Sequence, residues 1–508
     1  MNRKLSPEEN RRAWLWAAGI VAAMLGVAAL VVALTRVEWP QRVRLPDERA
    51  EVLAAAEGLD SIVIDAALDP EKRQLTGTQV LELTNRTGRD QSAVVLRSWS
   101  GAYLTEETSP AATDELFAAS YGSAFHAGGL VVTSARLGDA PAACEYLDEA
   151  RTVLSIPADW PAGSTVAVTL TWRVDVPECA SRFGYQGGTF ALGNVFPTAA
   201  VWMDGAWRTD AYVSIGDPFL SECANWTVRL TLPEGWTVAA TGAGETAVSG
   251  GMQVCTLRAR AARDFCLVVS DRLAVRQGME GDVLLTALAS TDEAAREMLD
   301  IARQAIRCYE ARYGDYLYPT LTLAEVDFPF GGMEYPRLVM IGADVIRSGG
   351  DELAWTVAHE VAHQWWSVTV GSDGYRQPWQ DEALCEYALL DFIGQTRGSD
   401  MRRYAAFDRV ETSMRITIPG AITPGSPLDY FANLNEYSLV VYGRGAALWL
   451  ALENYLGKDG LDALLRDYYV RFRFRVATRE ELTELISLHA GIDIGPLMVD
   501  YLDTRIVN

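Results

Sequence analysis

The sequence predicts an α+β multidomain chain: an N-terminal transmembrane helix, an antiparallel β domain, then a mostly helical domain. Three observations lead there. An unbroken apolar run lies between Ala13 and Leu34. Short stretches of alternating polar and apolar residues, broken by Gly, Pro and Asp, fill residues 61–281. Beyond residue 282, apolar residues recur at helical spacing instead. At 508 residues the chain is too long for one ordinary domain. The expected organisation is a cytoplasmic tail over 1–12, a transmembrane helix over 13–35 and a linker over 36–60. A β-rich domain over 61–281 and a mostly helical domain over 282–508 follow.

The first element is an uncleaved anchor. Arg3, Lys4, Arg11 and Arg12 precede the apolar run. As a helix the run spans about 33 Å, enough to cross a bilayer and longer than a signal-peptide core. Basic residues in front place the N-terminus in the cytoplasm, so everything after about Arg36 is expected outside it. Trp14, Trp16 and Trp39 suit the two interfaces. All seven cysteines fall in the outer part, where disulfides are permitted. Cys144 with Cys179, and Cys255 with Cys266, are the first pairs to test. Asn85-Arg86-Thr87 and Asn225-Trp226-Thr227 fit the glycosylation pattern. A net charge of −23 argues against nucleic acid, or an anionic membrane surface, as the main partner.

In the β domain, Val166, Val168, Leu170, Trp172 and Val174 face one way, while Thr169, Thr171 and Arg173 face the other. Trp226 to Leu232 alternates likewise, and Pro233-Glu234-Gly235 turns the chain. Thr291 to Gly314 is a helix, with Met298, Ile301, Ala302, Ala305, Ile306 and Tyr309 on one face. Thr320 to Asp327 reads as an edge strand leading into a loop at Gly331. Two helices follow, one holding His359 and one holding Glu382. A Gly- and Pro-rich loop covers Ile416 to Pro427. Ser438 to Leu456 is helical and carries Tyr442 near its start. Helices around Leu461–Tyr469 and Glu480–Leu488 finish the chain.

The chemistry is carried by His359-Glu360-Val361-Ala362-His363. Residues four apart on a helix differ by about 40°, so both imidazoles leave one face. This H-E-x-x-H arrangement offers two zinc ligands and a carboxylate placed to take a proton from an activated water. Apolar flanks bury the helix, and burying two His and a Glu without a partner is costly. A third ligand is needed, and Glu382 follows on the next helix. Asp381 and Glu386 are candidates to hold the ligating imidazoles by their second nitrogens. Cys385, beside them, reads as a buried unreactive thiol.

His-Glu-x-x-His, eighteen residues, then Glu382 resembles the gluzincin pattern of the M1 aminopeptidases. Gly331-Gly332-Met333-Glu334-Tyr335 resembles that family's Gly-x-Met-Glu-Asn exopeptidase loop, with Tyr335 where the family has Asn. Tyr442-Gly443-Arg444-Gly445 resembles its Tyr-x-Lys-Gly, with Arg444 in place of Lys. The resemblance covers about Phe196 to the C-terminus. It implies a saddle-like β domain followed by a thermolysin-like zincin domain, without the family's usual C-terminal helical domain. It implies one Zn²⁺ per chain on His359, His363 and Glu382, with Glu360 as general base and Tyr442 as a catalytic phenol. Gly331, Gly332, Met333 and Glu334 would bind substrate, with Glu334 pairing with a peptide's α-ammonium. The expected activity is removal of N-terminal residues from peptides. A zinc endo- or oligopeptidase, and a non-catalytic zinc-stabilised ectodomain, are the alternatives.

Overall fold

The computed structural model describes residues 45–111, 114–418 and 420–504. The expected tail and transmembrane helix, residues 1–35, lie outside the described residues. Among the described residues no helix is long and apolar enough to cross a membrane. Pro46–Asn508 forms one compact unit with a β-rich N-terminal part and a helical C-terminal part.

The β-rich part is built on an eight-stranded sheet. Thr165–Asp175 lies between Gln74–Thr84 and Gly129–Leu137, and Val168, Leu170, Trp172 and Val174 point into the core as their alternation requires. The sheet is not wholly antiparallel. Asp60–Asp69 pairs in parallel with Ala224–Pro233, with Ile62 opposite Trp226. Two four-stranded sheets close over its buried face.

The helical part rests on a five-stranded sheet in the order Ala274–Glu280, Val283–Ala289, Thr320–Val326, Leu338–Gly342, Gly332–Met333. Thr320–Val326 is therefore an interior strand, not the expected edge. Both of its neighbours are parallel to it. Interior parallel strands are apolar on both faces, so they read as short unbroken runs without an exposed side. The crossover between the first parallel pair is the helix Asp292–Tyr313, capped by the Thr291 side chain and ended at Gly314 as expected. The hairpin Ala274–Glu280 and Val283–Ala289 straddles residue 281, so this sheet starts before the expected boundary.

Part of the expected linker is structured. Ala50–Ala56 is a helix whose Val52 is fully buried in the core of the helical part. The turns Ala406–Glu411 and Ser438–Arg444 are wide π-type turns within longer helices. The last helices are Lys458–Phe472, Arg479–Ala490 and Gly495–Leu502, the third of which the sequence did not suggest. All seven cysteines are free thiols, so neither expected disulfide is present. Neither glycosylation asparagine offers a free amide: Asn85 donates to the Arg89 and Trp160 carbonyls, and Asn225 to that of Ala56.

Candidate active site

The helix Gly350–Ala362 buries Leu353, Ala354, Val357, Ala358, Val361 and Ala362 against the core. That packing turns His359 and Glu360 to its other side, while His363 stands at its C-terminal end. The helix Glu382–Arg397 begins at the third expected ligand and is buried from Glu382 to Ile393. Asp381 caps it, accepting from the Glu382 amide at 2.8 Å.

These two helices bring three donor atoms together. Glu382 Oε2 lies 3.2 Å from His359 Nε2 and 3.2 Å from His363 Nε2. The two Nε2 atoms are 3.1 Å apart. Tetrahedral ligands at zinc distances stand roughly 3.4 Å from one another. The tautomer of His363 supports the same reading. Its Nδ1 lies 3.1 Å from the Trp366 carbonyl oxygen, which can only accept. Nδ1 thus carries a proton, and Nε2 turns its other side to a carboxylate. Two lone pairs this close repel unless a cation, a proton or a metal ion, lies between them. The donor set fits zinc.

Around this centre the other expected residues gather. Glu334, Glu360 and His363 each place a ligand-type atom within 4.8 Å of the others. Glu360 Oε2 is buried and has no hydrogen-bond partner. Burial raises the Glu360 carboxyl well above its ordinary value, and Glu334 and Glu382 add to the rise against the pull of His363. Gly332 makes room for it, since a Cβ there would overlap the Glu360 side chain. Gly331 lines the same cavity as Gly332. Met333 is buried, with its sulfur 3.1 Å from Arg182 Nη1. Glu334 is 8 % exposed, and among the described residues its carboxyl has no hydrogen-bond or ion-pair partner. Its carboxyl is pushed up to about 8, by burial first, with Asp217, Glu382 and Asp381 contributing and His363 opposing. Tyr442 stacks on the His359 ring, centroids 5.5 Å apart at 21°. Arg444 points away from the centre and donates to the carbonyls of Ser413 and Ile416.

The two helpers proposed for the imidazoles separate. Asp381 binds Ser372 Oγ at 2.9 Å and the Glu382 amide, not a histidine. Glu386 does approach one, its Oε2 lying 3.7 Å from His359 Nδ1. Burial pushes the Cys385 thiol up to about 12, in keeping with an unreactive group.

Sequence reasoning missed four features. One is the Trp366 carbonyl. Another is Arg409, which grips Glu386. The third is Asp217, which the buried Arg182 holds in the cavity that Glu334 lines. The fourth is the link from Tyr335 to the β-rich part: its hydroxyl donates to Asn194 at 2.7 Å, and Asn194 donates to Asp264 at 2.7 Å. Only the positive φ of Asn194, 49°, hints at a special position, and that is invisible in sequence. A cleft of about 550 Å³ opens beside the centre, walled by Phe330, Trp355, Thr356, Arg409, Tyr437 and Tyr442.

A helix pair carrying H-E-x-x-H and a downstream glutamate, on this sheet, is the arrangement that the gluzincin resemblance implies. Residues 297–501 match the domain model of peptidase family M1. Aminopeptidase N of Lactobacillus helveticus is 27% identical over 244 residues, covering 43% of this chain and 28% of that protein. Leukotriene A-4 hydrolase of Xenopus laevis is 30% identical over 169 residues, covering 32% of this chain and 27% of that protein. The chain thus spans under a third of the length of these curated relatives. Among solved structures, an M1 zinc metallopeptidase from Deinococcus radiodurans superposes with a TM-score of 0.63 at 18% identity. That match covers 89% of this chain and 94% of the other, and shows the shared fold.

Proposed function

We propose that this chain is a zinc-dependent aminopeptidase that removes N-terminal residues from peptides. The observation that carries the reading is Glu334: a buried carboxylate beside the ligand cluster, with no partner of its own. An acid held so keeps its proton until a cation arrives to pair with it, and a peptide's α-ammonium is one of the right size and charge. Bound on His359, His363 and Glu382, zinc would supply Lewis-acid polarisation of the scissile carbonyl and of a water.

The chain's own residues do the rest. Glu334 and Asp217 hold the ammonium, which fixes how far the scissile bond lies from the end of the substrate. Glu360 Oε2 takes the proton of the attacking water and returns it to the departing amine. The Tyr442 hydroxyl donates to the carbonyl oxygen as that oxygen gains charge. We also infer that residues 13–35 anchor the chain in a membrane with this cleft outside the cytoplasm. The long apolar run and the basic residues before it support that.

The test is a set of peptides with free or acetylated N-termini, assayed with and without chelator. Free-amine peptides should be cleaved and acetylated ones barely. Glu334→Gln should lower kcat/KM for free peptides by roughly 30-fold or more, the usual cost of removing one partner of a buried charge pair. Glu360→Gln should abolish cleavage while zinc stays bound. Equal cleavage of blocked and free peptides, unchanged by Glu334→Gln, would make the enzyme an endopeptidase.

A further inference from the structure

Arg409 lies in the wide turn Ala406–Glu411, facing the turn Ser438–Arg444 that carries Tyr442. Its guanidinium takes both oxygens of Glu386: Nε donates to Oε1, and Nη2 donates to Oε2 at 2.9 Å. Glu386 is 1 % exposed and sits one turn after the ligand Glu382. A buried carboxylate is costly without a cation beside it, and among the described residues Arg409 is the guanidinium that reaches it. The same Glu386 Oε2 is the oxygen 3.7 Å from His359 Nδ1.

The backbone of Arg409 does a second thing. A Cβ on Gly443 would stand 2.9 Å from the Arg409 carbonyl oxygen and 2.6 Å from Ser413 Cβ. The two turns therefore touch at the residue next to Tyr442, and only a glycine allows it. The Tyr442 ring in turn lies on the face of His359. Glu386 thus lies 3.7 Å from the edge of His359 and Tyr442 lies over its face, and both neighbours run back to Arg409.

We propose that Arg409 is a positioning residue of the metal centre: its two-point grip keeps Glu386 beside Nδ1 of His359, and so sets the ring whose Nε2 converges on Glu382 and His363. The proposal rests on the zinc reading above. Losing such an outer support typically weakens metal binding by about 10- to 100-fold. Arg409→Met keeps the side chain's bulk and removes the two-point grip. It leaves Glu386 buried and unpaired, so its cost to folding must be separated from its cost to the metal. The double variant Arg409→Met with Glu386→Gln removes the stranded charge.

Zinc affinity should be measured by competition with a fluorescent chelator, without substrate, alongside thermal unfolding of the zinc-free proteins. We expect Arg409→Met to bind zinc ~10- to 100-fold more weakly, and Arg409→Lys, which keeps the charge but not the fork, to fall between it and wild type. The double variant should regain thermal stability while its zinc affinity stays weak. Should Arg409→Met not fold, the lysine and double variants carry the comparison. Wild-type zinc affinity in the double variant would overturn the proposal. A wild-type protein that takes up no zinc would instead remove the zinc reading, and this inference with it.

Discussion

Gly332 shows how tightly single residues are set in this centre. It lies on the strand beside Glu360, where any Cβ would meet the Glu360 carboxyl group. Gly332→Ala must therefore displace the Glu360 carboxyl, the proposed base, while the three proposed ligands stay on their own helices. We expect cleavage to fall by roughly a hundredfold, the scale of a misplaced catalytic group, with zinc content unchanged. Loss of zinc along with activity would show that the strand supports the ligands too. That His359, Glu360, His363 and Glu382 would gather at one centre was legible in the sequence, because metal chemistry dictates both residue type and spacing. The supports were not. The Trp366 carbonyl has no side-chain signature, and Arg409 and Asp217 reach the site from segments whose spacing to it is set by the fold alone.

Among the elements, those with one wet face read truly. The alternating strand at Thr165–Asp175 and the helix Asp292–Tyr313 appeared as expected. Thr320–Val326 did not, because burial on both faces erases the period that distinguishes edge from centre. Nor did the parallel contact of Asp60–Asp69 with Ala224–Pro233, since pairing partners so distant in sequence leave no local trace. The tie from the Glu334 loop to the β-rich part ends at Asp264, and it gives a pH-dependent prediction. Burial pushes the Asp264 carboxyl up from 3.8 to about 7, against hydrogen bonds from Phe265 and Asn194 that lower it. The folded state then keeps a proton that the unfolded chain releases. Stability from this group falls as pH rises through that window, and the loss is complete above about 7. Asp264→Asn lacks this term. Urea unfolding at both ends of the window should show wild type losing ground to the variant as pH rises, by at most a few kcal/mol, roughly 1.4 per pKa unit. An unchanging difference between the two proteins would mean the acid titrates normally.

For the whole molecule, the structure moves the start of the folded unit upstream of where composition placed it. Ala50–Ala56 is too short and too rich in alanine to announce itself, yet Val52 is fully buried and Glu48 reaches Arg337 Nη1 at 3.4 Å. A protein beginning at Pro46 should fold and bind zinc. One beginning at Asp60 should be less stable by about 1.5–3 kcal/mol from the missing valine alone, which calorimetry of the two would measure. Equal melting would mean the segment merely rests on the surface. The free cysteines have a consequence at this scale as well. Cys144 is half-buried, whereas the other six are at most 3 % exposed, four in the β-rich part and Cys308 and Cys385 in the helical part. An alkylating reagent meets one thiol on the closed molecule. Each further mass increment then marks an opening event, and the peptide that carries it tells which half opened. The order in which the halves come apart is written in the order of labelling, with no dye or tag added to the chain.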